Sequence, residues 1–124
     1  MLLHLTDLSP EPLHEQISRQ IRAQILSGQL EDGSPLLSIR ALARQEKVSV
    51  ITVQRAYDDL LREGLLVARR GKGFFVAPIP EQQKRDLALA RIRRKLQAVV
   101  QEARAEGLGS DMIRQAFQQT VEGE

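Results

Sequence analysis

The chain has 124 residues, a formal net charge of +2 and no cysteine. That length holds about one ordinary domain, or a small domain with an appended element, and the missing cysteines exclude a disulfide framework, a zinc ribbon and thiol catalysis while fitting a reducing, cytoplasmic compartment. So small a positive excess excludes a whole-surface polyanion binder, and any affinity for nucleic acid must come from where the cations sit.

The opening residues MLLHLTDL lack a basic n-region and reach Asp7 before a signal-peptide core could form, and no later apolar run approaches the length of a membrane span. The expectation is a soluble, unsecreted protein with no membrane partner. In SPEPLHEQISRQIRAQILSGQL, residues 9 to 30, Leu13, Ile17, Ile21 and Ile25 stand four apart behind two prolines and before Gly28. This predicts a helix over about residues 12–27. LEDGSPL reads as a turn. Ser38 then caps a short helix over 39–46, on which Ile39, Leu42 and Ala43 share a face. Ser49 caps a third, over about 50–63, on which Val53, Ala56, Tyr57, Leu60 and Leu61 recur at helical spacing until Gly64. Two short helices, a tight turn and a longer helix follow the order of a helix-turn-helix.

The next stretch, ARRGKGFFV, contains Arg69, Arg70 and Lys72, and no acid lies between Glu63 and Glu81. LLVAR and FFVAP favour strands, and Arg70 to Gly73 supply the glycines that a hairpin corner needs. A basic hairpin behind a helix-turn-helix is the layout of a winged helix. APIPEQ reads as a linker. Residues 82–106 predict a long charged helix whose narrow seam is Leu89, Ile92, Leu96, Val99 and Ala103. After GLGS, Ser110 caps a last amphipathic helix carrying Met112, Ile113, Ala116, Phe117 and Val121. The expected fold is mainly α with a small β-hairpin. It comprises a winged helix-turn-helix DNA-binding domain over 1–78 and a C-terminal two-helix dimerisation tail over 79–124, in which Leu89, Ile92, Leu96, Val99, Ala103 and Phe117 meet a second copy. A membrane-surface role for the tail cations is disfavoured because that helix lacks aromatics.

Residues 12 to 78 resemble the DNA-binding domain of GntR-type bacterial transcription regulators. The resemblance rests on PLHEQI, SGQL, SIRALA, TVQRAYDDLLREGLL and GKGFFV, in that order. With RAY at Arg55 to Tyr57 and a tail of only two helices, the chain looks most like the short YtrA-type branch. Five residues depart from the family's pattern. Leu37 stands in place of a proline, Lys47 in place of a turn glycine, Val50 and Ile51 where polar residues or proline are usual, and Phe74 where a small hydroxyl residue is usual. A left-handed Lys47 would cost up to about 1 kcal/mol.

At about 100° per residue, with Val53, Tyr57 and Leu60 inward, the third helix turns Ile51, Gln54, Arg55, Asp58 and Arg62 outward. Its first turns reach bases, so Thr52, Gln54 and Arg55 are the candidates, Arg55 for guanine and Gln54 for adenine. The bland alternative pairs Arg55 with Asp59 and Arg62 with Asp58 on the helix surface. Ser49 is a cap that could also hold a phosphate. The resemblance implies a DNA contact for Arg40. Arg69, Arg70, Gly71, Lys72 and Gly73 form the candidate wing contact, with Arg44 and Lys47 as weaker phosphate binders. His4, in a strand or arm, and His14 have no partners that suggest a metal site, and GKG lies between strands instead of opening a helix. No enzyme, metal or cofactor is expected.

The reading is a homodimeric, sequence-specific regulator, a repressor on a pseudo-palindromic operator of double-stranded DNA, with no effector ligand identified. The rival is a winged helix used as a protein-interaction or scaffold module without DNA binding. RNA binding is disfavoured, since only Phe74 could offer a stacking platform.

Overall fold

Ile17, Ile21 and Ile25 recur every four residues and are all fully buried, which lays the first helix along the third. The computed structural model describes residues 1–123. It has five helices, α1 (Leu13–Leu26), α2 (Ile39–Glu46), α3 (Val50–Arg62), α4 (Glu81–Ala105) and α5 (Ser110–Glu122), with strands β1 (Leu66–Arg69) and β2 (Gly73–Val76) between α3 and α4. Two compact units result, one from Met1 to Arg85 and one from Asp86 onward.

In the first unit α3 is central, packing on α1, α2 and β1. Val53, Ala56, Tyr57 and Leu60 on α3 meet a core completed by Leu42, Leu65, Leu66 and Val76. Each of the valines and leucines among them contributes about 1.5–3 kcal/mol by leaving water. Arg22 on α1 fastens the far end of α3: its Nε and Nη2 donate to the two Glu63 carboxylate oxygens at 2.7 and 2.6 Å. The predicted serine caps of α2 and α3 form. Ser38 Oγ accepts from the Ala41 amide at 3.1 Å and Ser49 Oγ from the Thr52 amide at 3.0 Å. Lys47 closes α2 at φ 57°, ψ 44°, so this lysine does hold the left-handed conformation that glycine adopts most readily.

β1 and β2 pair antiparallel, with Leu66 opposite Val76 and Arg69 opposite Gly73. Gly73 therefore belongs to the strand, and the corner is shorter than the sequence suggests. The Lys72 amide donates to the Arg69 carbonyl at 2.9 Å, and Gly71 at the third turn position has φ 73°, as a type II turn requires.

Two loops differ from expectation. The segment read as a turn after α1 also runs beside β2: Gly33 donates to the Val76 carbonyl, Val76 to that of Ser34, and Leu36 to that of Phe74. The wing thus gains a third extended edge, which Gly33 and Pro35 conceal in the sequence. The stretch read as a linker is fixed as well. The Ala77 amide donates to Leu65 at 2.9 Å, and Ala77 and Ile79 are buried. Lys84, which the sequence groups with the cations of the tail, is buried and pairs with Asp32 at 2.9 Å, because the first turn of α4 belongs to this unit.

The N-terminus is an arm and not a strand. Gln16, Gln20 and Gln24, spaced one turn apart on α1, hold alternate arm residues. Gln20 accepts from the His4 amide at 2.8 Å and donates to its carbonyl at 2.7 Å. Gln16 does the same for Thr6 at 3.0 and 2.9 Å, and Gln24 donates to the Leu2 carbonyl at 2.9 Å. Four helical residues rise about 6 Å and two extended residues about 6.7 Å. The two repeats match closely enough for each glutamine to meet one arm residue, and Leu3 is buried beneath.

In the second unit α4 ends where the Leu108 amide donates to the Ala103 carbonyl at 3.0 Å. Gly109, not Ser110, is the N-cap of α5, and no side chain caps it; Ser110 lies one residue inside the helix. Leu89, Ile92, Leu96 and Val99 are 41–49% exposed, Ala103 and Phe117 half-buried, and Ile113 buried. Among the described residues no helix is long and apolar enough to cross a membrane.

Candidate nucleic-acid interface

Tyr57 connects the parts that the sequence singled out. From the middle of α3 its hydroxyl donates to the Leu37 carbonyl at 2.8 Å, one residue before the Ser38 cap. Its ring meets Phe74 edge to face at 5.0 Å and 76°, one residue after Gly73. The start of α2, the body of α3 and the root of the wing thus share one side chain. Burial pushes the Tyr57 phenol well above its usual range, so it stays a neutral donor. The same contact gives Phe74 the role that the sequence left without account. Half-buried against Tyr57, Phe74 is not the free stacking platform an RNA reader needs.

The candidate contact residues surround this centre. Arg40, in the first turn of α2, is exposed, as are Ser49, Gln54 and Arg55 at the start of α3, whereas Thr52 is half-buried. Ser49 and Thr52 are joined through their hydroxyls at 2.8 Å, so both already serve the helix start. Arg69, Arg70, Gly71, Lys72 and Gly73 are all exposed. The Arg69 guanidinium lies over the Phe75 ring, 5.0 Å from its centre, on the diagonal of the hairpin where cross-strand neighbours reach each other.

Ion pairing sorts the cations of this unit into two sets. Arg19 pairs with Glu11, Arg22 with Glu63, Arg62 with Asp59 and Lys84 with Asp32. Arg40, Arg44, Lys47, Arg55, Arg69, Arg70, Lys72 and, at the end of the unit, Arg85 form no ion pair with any described residue. The surface pairs considered for α3 are therefore not the ones made: Asp59 takes Arg62, and Arg55 is left without a carboxylate. Arg55, Asp58, Asp59, Arg62 and His14 line a shallow open depression, with the acids toward the C-terminal half of α3. No group of three or more potential metal ligands exists among the described residues.

A family profile described as "Bacterial regulatory proteins, gntR family" matches residues 13–76. The chain is 39% identical over 75 residues to the transcriptional repressor NagR of Bacillus subtilis, covering 60% of this chain and 31% of NagR. It is 31% identical over 118 residues to the transcriptional regulator YhcF of the same organism, covering 93% of this chain and 94% of YhcF. It thus spans about a third of the first relative and nearly all of the second. Among solved structures, YtrA from Sulfolobus acidocaldarius, a GntR-family transcription factor, superposes with a TM-score of 0.60 at 29% identity. The match covers 76% of this chain and 99% of that one. The DNA-binding domain of AraR in complex with operator ORX1 gives a TM-score of 0.53 at 31% identity, covering 60% and 93%. With a winged helix matched over more than half its length, the chain belongs to the gntR family of bacterial regulatory proteins, as a DNA-binding transcription regulator of YtrA-like build and not an enzyme.

Proposed function

We propose that the protein is a homodimeric repressor that covers a pseudo-palindromic operator. The N-terminal turns of α3 enter the major groove, where Arg55 reads guanine and Gln54 adenine, with Thr52 beside them. Arg40 and the N-terminus at Ser49 hold phosphates, and the wing from Arg69 to Gly73 grips the backbone or enters the minor groove. A second copy joins along Leu89, Ile92, Leu96, Val99, Ala103 and Phe117. Two α3 helices about 34–36 Å apart then face successive major grooves. Such a regulator works where the chromosome is, in the cytoplasm.

One observation carries this reading. The first unit neutralises the cations that hold its elements together, and those it leaves unpaired lie on α2, the turn after it, the start of α3 and the wing, with Arg85 at the unit's end as the one exception. An unpaired cation is available to a phosphate without first breaking a bond. The operator complex solved for AraR, which matches 60% of this chain, supports DNA as the partner, and the name of NagR supports repression.

Gel shifts on matched and scrambled duplexes test the division of labour. Arg55→Ala should weaken the matched duplex by about 1–3 kcal/mol and relax sequence preference. Lys72→Ala should weaken both duplexes alike. Equal losses on both duplexes for Arg55→Ala would refute its role as a base reader, and a protein-interaction module would show no salt-dependent duplex binding at all.

A further inference from the structure

We infer that Val50 and Ile51 read thymine methyl groups, so that the operator half-site is defined by apolar contact as well as by hydrogen bonds. This rests on the placement of α3 in the major groove proposed above. Ile51 is 70% exposed and Val50 39%, and they are the first two residues of α3, directly after the Ser49 cap. At about 100° per residue, Ile51 lies about 40° from Arg55 and about 60° from Gln54, and Val50 about 40° from Gln54. Ile51 therefore shares the outward face with the two hydrogen-bonding candidates, about 160° from Val53 and about 120° from Tyr57, whereas Val50 stands on the inner border of that face beside Gln54 and is left open only because it is the first residue of the helix.

Chemistry chooses the partner. Scattered single apolar residues on a surface call for no explanation, but among the described residues these are the only exposed large apolar side chains on α1, α2 or α3. They occupy the turn that faces the DNA and offer neither a donor nor an acceptor to a base or a phosphate. Beside their donors and acceptors, the major-groove edges of the bases present one projecting apolar group, the thymine C5-methyl, where cytosine has only a C–H. A β-branched aliphatic side chain on that turn finds its best match in this methyl. Against guanine, cytosine or adenine edges it would cover polar groups without bonding them. Unpaired Arg40 and Arg55 nearby bring the helix to the duplex, and the aliphatic pair selects among sequences once it is there.

The experiment begins with duplexes enriched from a random pool by the wild-type chain. The winning duplex is then synthesised with deoxyuridine in place of thymidine, one half-site position at a time. Uracil keeps every hydrogen-bonding group and lacks only the methyl. Wild type should bind about fourfold more weakly for each contacted methyl lost, the transfer value of one buried carbon. The Val50→Ala, Ile51→Ala double variant should bind the thymidine and deoxyuridine duplexes alike, with its helix content checked by circular dichroism. Equal wild-type affinity for both duplexes would overturn the inference while leaving the regulator reading intact. So would a uracil penalty that persists undiminished in the folded variant, since it would then arise from the shape of the DNA. Failure of the wild type to enrich any duplex would count against both.

Discussion

Removing the Tyr57 hydroxyl while keeping its ring leaves the Leu37 carbonyl without its partner and the Phe74 contact in place. Tyr57→Phe should therefore cost about 1 kcal/mol in urea unfolding at neutral pH, the net worth of one such bond. The pH dependence separates this role from simple packing. The folded-state phenol is held above its ordinary value of 10.0 by burial, so above about pH 10 the unfolded chain loses a proton that the folded chain keeps. The bonus is full below pH 10 and is lost as pH rises from there toward the raised value. Wild type should lose stability more steeply than Tyr57→Phe over that window, and parallel curves would contradict the assignment. Lys47→Gly should gain up to about 1 kcal/mol, since glycine adopts φ 57° without the steric cost that lysine bears. Ser38 and Ser49 were legible as caps because a cap joins residues three apart. The Tyr57–Phe74 contact was not, because it depends on how the hairpin registers against α3.

At the scale of elements, all five helices and both strands could be read from periodicity, caps and glycine corners, since each signal lies within the element. What escaped reading joins distant segments: the 33–36 edge beside β2, the glutamine ladder under the arm, and the Lys84–Asp32 pair. Each makes a separate prediction. Gln20→Ala should expose the His4 amide to hydrogen exchange while Thr6, held by Gln16, stays slow. Asp32→Ala should destabilise by up to about 3 kcal/mol because it leaves the buried Lys84 ammonium alone, whereas Lys84→Met, which removes the charge itself, should cost much less. Equal losses would mean that the pair acts only through packing.

For the whole molecule, the half-exposed seam of α4 bears on assembly. Ile92→Asp together with Leu96→Asp should convert the proposed dimer to a monomer in light scattering and sharply weaken operator binding, while leaving the fold of residues 1–85 intact; a wild type that is already monomeric would contradict the proposed assembly. Seam and wing were both legible in the sequence as patterns, but the sorting of paired from unpaired cations was not, because it depends on which carboxylates the fold brings near. That sorting is tested most directly by the salt dependence of affinity for the enriched duplex. With about four phosphates neutralised per subunit, log affinity against log salt should fall with a slope of about −7 for a dimer. Neutralising Lys72 should make the slope shallower by about two, one phosphate on each half-site. A slope near zero, or one unchanged when Arg40, Arg55, Arg70 and Lys72 are all replaced by alanine, would contradict the assignment of these cations to DNA.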